Sequence, residues 1–298
     1  MNQNIQKLAL VMASDEKYVS HLRTAIKSIR KYNSQLNIHI FSCSDISSVL
    51  VNSGNCQLHQ VVIPENFKHA FKTNSELEHS ATRIAKLESM TINGSENIMY
   101  IDSDIVAFTD IERIVSELPI PNDNIPVVYL LLRRPQIISI SDISWLYFKN
   151  SSEMTTQQMT DLVNTTFNTN YTEQKLLTLN CWNGGVVYGN AKGVHLLCDT
   201  WKRYYEKMLM GKNKDSFIPN DQLCLWLVTD QLANRMTIKE LPLSWNFMPG
   251  HALEELMKKP NPSIKEIKES LNGVNILHLA QNKTDIWAQI LINDINSN

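Results

Sequence analysis

The sequence predicts an α/β fold in which a mostly parallel central sheet is flanked by helices. Three observations carry the prediction. Residues 7–13 form an apolar run of strand length, Val19, Leu22, Ile26 and Ile29 then recur at helical spacing, and residues 37–42 read as a second strand, which is the order of a βαβ unit. Another short apolar run, residues 97–101, stops at Asp102-Ser103-Asp104, and ligands of open α/β sheets bind outside the carboxyl ends of strands. A chain of 298 residues with 43% hydrophobic content suffices for one large domain, and no repeat or low-complexity linker divides residues 1–298.

Each element follows in order. After the first strand, Ser14-Asp15-Glu16 is a polar loop and the helix runs through Tyr32. Residues 37–42 alternate Ile38, Ile40 and Phe41 with polar neighbours, and residues 60–63 form a further short strand. Helical periodicity returns over residues 79–91, ahead of the strand at 97–101, and residues 126–132 are strand-like again. The stretch 139–180 is polar, rich in Thr and Asn and weakly periodic; it reads as a variable insertion or subdomain with no assigned internal structure. Strand character resumes at 186–189, a helix covers 196–210, and residues 221–228 form a short helix with Asn220 or Asp221 as N-cap. The last strand, 274–277, runs directly into His278.

Composition narrows the function classes. Lys+Arg 28 against Asp+Glu 30 leaves a net charge of -2, so nothing draws the chain toward nucleic acid and an anionic ligand needs a local site. The polar start and the lack of any apolar run near the roughly 20 residues of a membrane span point to the cytoplasm. Five cysteines (Cys43, Cys56, Cys181, Cys198, Cys224) without close pairs read as reduced thiols, not as a disulfide framework or a structural zinc site. Lys202, Arg203 and Lys207 beside Trp201, Tyr204 and Tyr205 make residues 201–214 a candidate for peripheral contact with an anionic inner membrane face. A solvated helix face is the commoner reading, since each lysine near an anionic bilayer contributes only about 1 kcal/mol.

The strongest chemical signal is Asp102-Ser103-Asp104. Two carboxylates at a strand's end can share a hard divalent cation, which in turn neutralises a diphosphate. Solvated loop acids are the bland alternative, and a strand followed by this spacing also suits a phosphohydrolase with Asp102 as nucleophile. His278, also past a short strand, could complete the metal shell if both strands open on one crevice of a parallel sheet, with Lys283 meeting a phosphate; a half-buried packing histidine is the alternative. Arg83 and Lys86 precede the acidic strand, and Arg83 is the better bidentate phosphate donor. Asp221-Gln222 reads as a helix start or as polar groups lining a sugar pocket, and Asn183-Gly184-Gly185 as a turn or a close backbone approach to a ligand.

Taken together, these motifs resemble glycosyltransferase family eight over nearly the whole chain. Residues 9–18, through Ala13-Ser14-Asp15 to Tyr18, are similar to the family's uridine-binding strand and loop; Ala81-Thr82-Arg83-Ile84 to its arginine-bearing helix; and Tyr100-Ile101-Asp102-Ser103-Asp104 to its acidic strand. Trp182-Asn183-Gly184-Gly185-Val186, Asn220-Asp221-Gln222 and Trp245-Asn246-Phe247-Met248-Pro249 complete the resemblance in the right order. It implies an A-type nucleotide-diphospho-sugar transferase fold and retaining transfer of galactose or glucose from a UDP-sugar donor. The acceptor would be a glycan or glycolipid such as a bacterial surface glycan or lipooligosaccharide. The implied cofactor is Mn²⁺ or Mg²⁺ on Asp102, Asp104 and His278. Ala13, Ser14, Asp15, Tyr18, Arg83, Asp102, Ser103, Asn183, Gly184 and Lys283 would bind the donor, with Asp221 and Gln222 at the anomeric carbon. A protein that binds sugar nucleotides without turnover is the reading outside enzymes. The family usually places Gly third after the histidine and Lys-Pro-Trp sixth to eighth; here Gln281 and Thr284 stand there, Lys283 comes one residue early and Trp287 one late.

Overall fold

The computed structural model describes residues 6–50, 53–68, 71, 73–121, 125–133, 144–249, 253, 256 and 258–297. Strand β1 (Gln6–Ala13) is the spine of the molecule. Leu8 through Ala13 are all buried, with Ala9, Val11 and Ala13 packed in one apolar cluster and Leu8, Leu10 and Met12 in another. That period of two means both faces of the sheet are covered. Helix α1 (Val19–Arg30) lays Leu22, Ala25, Ile26 and Ile29 on the second face, and β2 (Ile38–Ser42) returns parallel to β1.

The third strand departs from expectation. β3 spans Cys56–Gln60 and not 60–63. It pairs parallel with β2 from Ile38↔Cys56 to Ser42↔Gln60, and the ladder closes where the Val61 N–H donates to the Ser42 carbonyl at 2.8 Å. β3 is half-exposed at the sheet's edge and polar, whereas the apolar Val61–Ile63 of the expected strand 60–63 lies beyond its end, just ahead of Pro64.

A short helix, α2 (Glu65–Lys68), and a longer one, α3 (Asn74–Ser89), lead to β4 (Ser95–Asp102), parallel to β1. β5 (Ile105–Ala107), α4 (Arg113–Glu117) and β6 (Val127–Leu132) follow. Residues 139–143 of the polar stretch lie outside the described residues; its remainder holds α5 (Thr156–Phe167) and α6 (Glu173–Leu177), two helices that its weak periodicity does not predict. Their Met159, Val163, Phe167 and Leu176 join the same cluster as the central helices.

β7 (Trp182–Asn190) contains Asn183-Gly184-Gly185, so that segment is strand and not a turn. α7 (Ala191–Met210) follows, with Trp201 and Tyr205 at 0% and 1% exposure. The aromatic side of this helix is therefore core, which removes the aromatic half of the argument for membrane contact. Lys202 pairs with Glu88, and the Lys207 ammonium lies over the Tyr204 ring. α8 (Asp221–Leu232) starts from Asn220, whose side chain caps the Gln222 N–H. β8 (Thr237–Glu240), α9 (Ile264–Ser270), β9 (Ile276–His278) and α10 (Ile286–Ser297) complete the order.

The main sheet runs β3-β2-β1-β4-β7-β6-β8. β3 to β4 are mutually parallel, β6 and β8 pair parallel, and β7 alone runs against its neighbours β4 and β6, so the sheet is mostly parallel, as the sequence predicts. β5 and β9 form a separate antiparallel ribbon. All five cysteines are free thiols. Among the described residues no helix is long and apolar enough to cross a membrane.

Candidate active site

The site forms where β1 and β4 end side by side, with Ala13 directly opposite Asp102. Just beyond, the buried Ser14 donates its N–H to the Phe41 carbonyl at 3.0 Å. Asp15 fixes the loop from both ends: one carboxylate oxygen accepts the Tyr18 N–H at 3.2 Å and the other accepts the Thr82 hydroxyl of α3.

His278 reaches Asp102 and Asp104 by a route other than a shared parallel sheet. Ribbon pairing sets Ile105 opposite His278, and the Leu279 N–H donates to the Asp104 carbonyl at 2.9 Å. The histidine thus lies against the residue that follows the acidic pair. Its Nε2 is 3.3 Å from Asp104 Oδ1 and 3.6 Å from Asp102 Oδ2, and one ligand atom from each residue lies within 4.8 Å of the others. Two hard oxygen donors and an imidazole suit Mn²⁺ or Mg²⁺. The Lys283 ammonium is 2.7 Å from Asp104 Oδ2 and 4.8 Å above the Tyr18 ring, so the end of the chain and the opening loop meet here. Ser103, between the acids, is buried.

Electrostatics agree with the geometry. Burial opposes ionisation of Asp104, yet the His278 and Lys283 cations hold its carboxyl well below the usual range. Burial likewise disfavours the His278 cation, but Asp104 and Asp102 raise its pKa above the ordinary histidine value. These opposed effects leave a cluster in which negative charge is kept available for a cation.

A second charged group adjoins the first. Asp221, at the start of α8, is 3.2 Å from Arg83 Nε and 3.3 Å from Lys86 Nζ, and Lys86 also lies 3.6 Å from Asp102 Oδ1. Lys86 is buried, with its ammonium over the rings of Tyr100 and Trp201. Burial alone would neutralise Asp221; Lys86 and Arg83 instead lower its pKa. Arg83 has the planar donors that favour it in the sequence, but Lys86 is the link between the two acids. Their spacing of three on one helix was the available signal. The Gln222 side chain accepts the Gly184 N–H at 3.4 Å and donates to the Trp182 carbonyl, so β7 fixes its amide. Gly184 has room only for hydrogen: a Cβ there would meet Trp201 at 2.7 Å and Lys86 Nζ at 3.3 Å.

Sheet order, helix placement and a strand-terminal acidic pair define the A-type fold of nucleotide-diphospho-sugar transferases. The chain belongs to Glycosyl transferase family 8, whose profile matches residues 9–279. Among solved structures it is similar to the galactosyltransferase LgtC in complex with donor and acceptor sugar analogs, with a TM-score of 0.57 at 16% identity over 97% of this chain and 95% of that one. It is also similar to the apo bifunctional glycosyltransferase WbbM (TM-score 0.52, 16% identity, 97% and 50% covered) and to apo mouse xyloside xylosyltransferase 1 (TM-score 0.51, 13%, 93% and 98%). At these identities the likeness is one of fold. No curated protein matches the chain in sequence. Family membership sets the phosphohydrolase reading aside.

Proposed function

We propose that this protein transfers galactose or glucose from a UDP-sugar to an acceptor hydroxyl with retention of configuration, using Mn²⁺ or Mg²⁺. The acceptor is a glycan or glycolipid, of the kind found in bacterial surface glycans and lipooligosaccharides, and the setting is cytoplasmic. The observation that carries the reading is the convergence of Asp102, Asp104 and His278 beside the loop that follows β1.

The backbone at Ala13 and Ser14, with Asp15 and Tyr18, holds the nucleoside; Ser103 and Lys283 meet the diphosphate. Arg83, Asn183 and Gly184 position the donor sugar. Asn183 is suited to this, since its two N–H donors are taken up by no described residue. When bound on Asp102, Asp104 and His278, the divalent ion supplies Lewis-acid stabilisation of the departing diphosphate. Asp221, held ionised by Lys86 and Arg83, opposes the positive charge of an oxocarbenium-like state, and Gln222 presents a fixed amide beside it. Front-face attack by the acceptor fits a carboxylate already engaged by two cations.

Calorimetry with UDP, GDP and CDP, with and without Mn²⁺, tests the donor. Mn²⁺-dependent binding of UDP that disappears in Asp104→Ala is the expected result. Metal-independent binding, or a preference for GDP or CDP, would overturn it. Product anomericity by NMR checks retention.

A further inference from the structure

We infer that Asn183 and Asn246 are positioning residues which hold His278 by its Nδ1–H, so that its Nε2 faces the two aspartates. The inference rests on the metal-binding role proposed for His278. The Gly185 N–H donates to Asn183 Oδ1 at 2.8 Å, which fixes which end of that side-chain amide is oxygen. The same oxygen accepts from Asn246 Nδ2 at 2.9 Å. With its nitrogen committed there, Asn246 turns its oxygen to His278 Nδ1 at 3.0 Å. An Nδ1 without its proton would set two acceptors against each other there, where Asn246 is 0% exposed and no solvent relieves the conflict; Nε2 is left to the aspartates and to a cation they share.

Packing enforces the same orientation. A Cβ on Gly185 would fall 2.2 Å from His278 Cε1 and 2.5 Å from Nδ1, so the glycine is the floor on which the imidazole lies. One residue of β7 therefore serves twice, supplying the N–H that starts the chain of amides and the space that seats the ring. Outer groups of this kind orient metal-binding histidines and typically contribute about 10–100-fold in affinity.

The test is ¹⁵N NMR of histidine-labelled protein with and without diamagnetic Mg²⁺. The expected spectrum has an Nδ1–H that exchanges slowly with solvent, and Mg²⁺ shifts Nε2. Asn246→Leu should lose that protection and weaken Mn²⁺ binding about 10–100-fold. Asn183→Leu should do the same, whereas Asn183→Asp, which keeps an acceptor toward Gly185 and Asn246, should retain the protected Nδ1–H. A freely exchanging Nδ1–H in the natural protein, an Mg²⁺ shift at Nδ1 in place of Nε2, or unchanged protection in Asn246→Leu would each overturn the inference. If Nδ1 is protonated but Mg²⁺ shifts neither nitrogen, the relay stands and the metal reading falls. Should the variants not fold, the natural protein's spectrum still decides.

Discussion

Ala280 holds a left-handed backbone, φ 44°, two residues past His278. Such a conformation costs an L residue about 1–2 kcal/mol, and glycine adopts it without that cost. Ala280→Gly should therefore stabilise the protein by about 1 kcal/mol, after glycine's greater unfolded-state entropy is set against the gain. A rise in the urea midpoint with unchanged slope is the expected readout; a fall would mean that the Ala280 methyl packs better than its strain costs. Lys86 supports a second prediction. Lys86→Met should cost about 3–5 kcal/mol near pH 7, because it leaves Asp102 and Asp221 with less neutralising charge in a buried place. The folded-state pKa of Asp221 is lowered, so its stabilising contribution exists above the unfolded carboxylate value and is lost as pH falls. The gap between natural protein and variant should accordingly close in acid, measured as denaturation midpoints at several pH values. Asp102, Asp104 and His278 were legible because strand-terminal residues announce themselves after short apolar runs. Lys86 was not, since its partners arrive from β4 and α8, and its spacing of three from Arg83 puts the two on one helix face without marking the lysine as buried.

Among the elements, α9 owes its start to a capping box. The Ser263 side chain accepts the Glu266 N–H at 3.3 Å, and the Glu266 carboxylate accepts the Ser263 N–H at 2.8 Å while pairing with Lys259 at 2.6 Å. The Lys259 bond, followed by those from Ser263, lowers the Glu266 pKa to about 2 from 4.5. Because the folded value is depressed, the box contributes fully above about 4.5 and is lost as pH falls through about 2. A carboxyl-carbon NMR titration of Glu266 should show a midpoint near 2; a midpoint near 4.5 would mean the box does not form in solution. The same motif was readable ahead of α5, where Thr155 and Gln158 cap each other. The helix behind it is masked in the sequence because Thr160, Asn164, Thr165 and Thr166 dilute the helical pattern with residues that form helices weakly. β3 was misplaced for the related reason that an edge strand half open to water has no continuous apolar run. The buried strands β1, β4 and β6 did, and their ranges were read to within two residues.

At the scale of the molecule, the sheet's two faces each carry a core, and a third apolar cluster gathers Val106, Ile267, Leu271, Leu277, Trp287 and Leu291 around the β5–β9 ribbon. Parallel winding was foreseeable from alternating strand and helix patterns. The reversal of β7 and the separate ribbon were not, since pairing direction depends on contacts between distant segments. Trp287→Ala should cost about 3–5 kcal/mol and also weaken Mn²⁺ binding, because α10 shares that cluster with β9, the strand bearing His278. Denaturation and metal titration of one preparation check both; lost stability with unchanged Mn²⁺ affinity would show that the ribbon holds its shape without α10. The ribbon has a consequence for biosynthesis. A chain leaves the ribosome from its amino end, so Asp102 and Asp104 emerge long before His278, and an ion that needs all three finds only a partial shell on the nascent chain. Metal loading on the proposed reading is then confined to chains that have already folded β9 against β5, and the choice of ion is made by the finished protein, from whatever the surrounding pool offers at that moment.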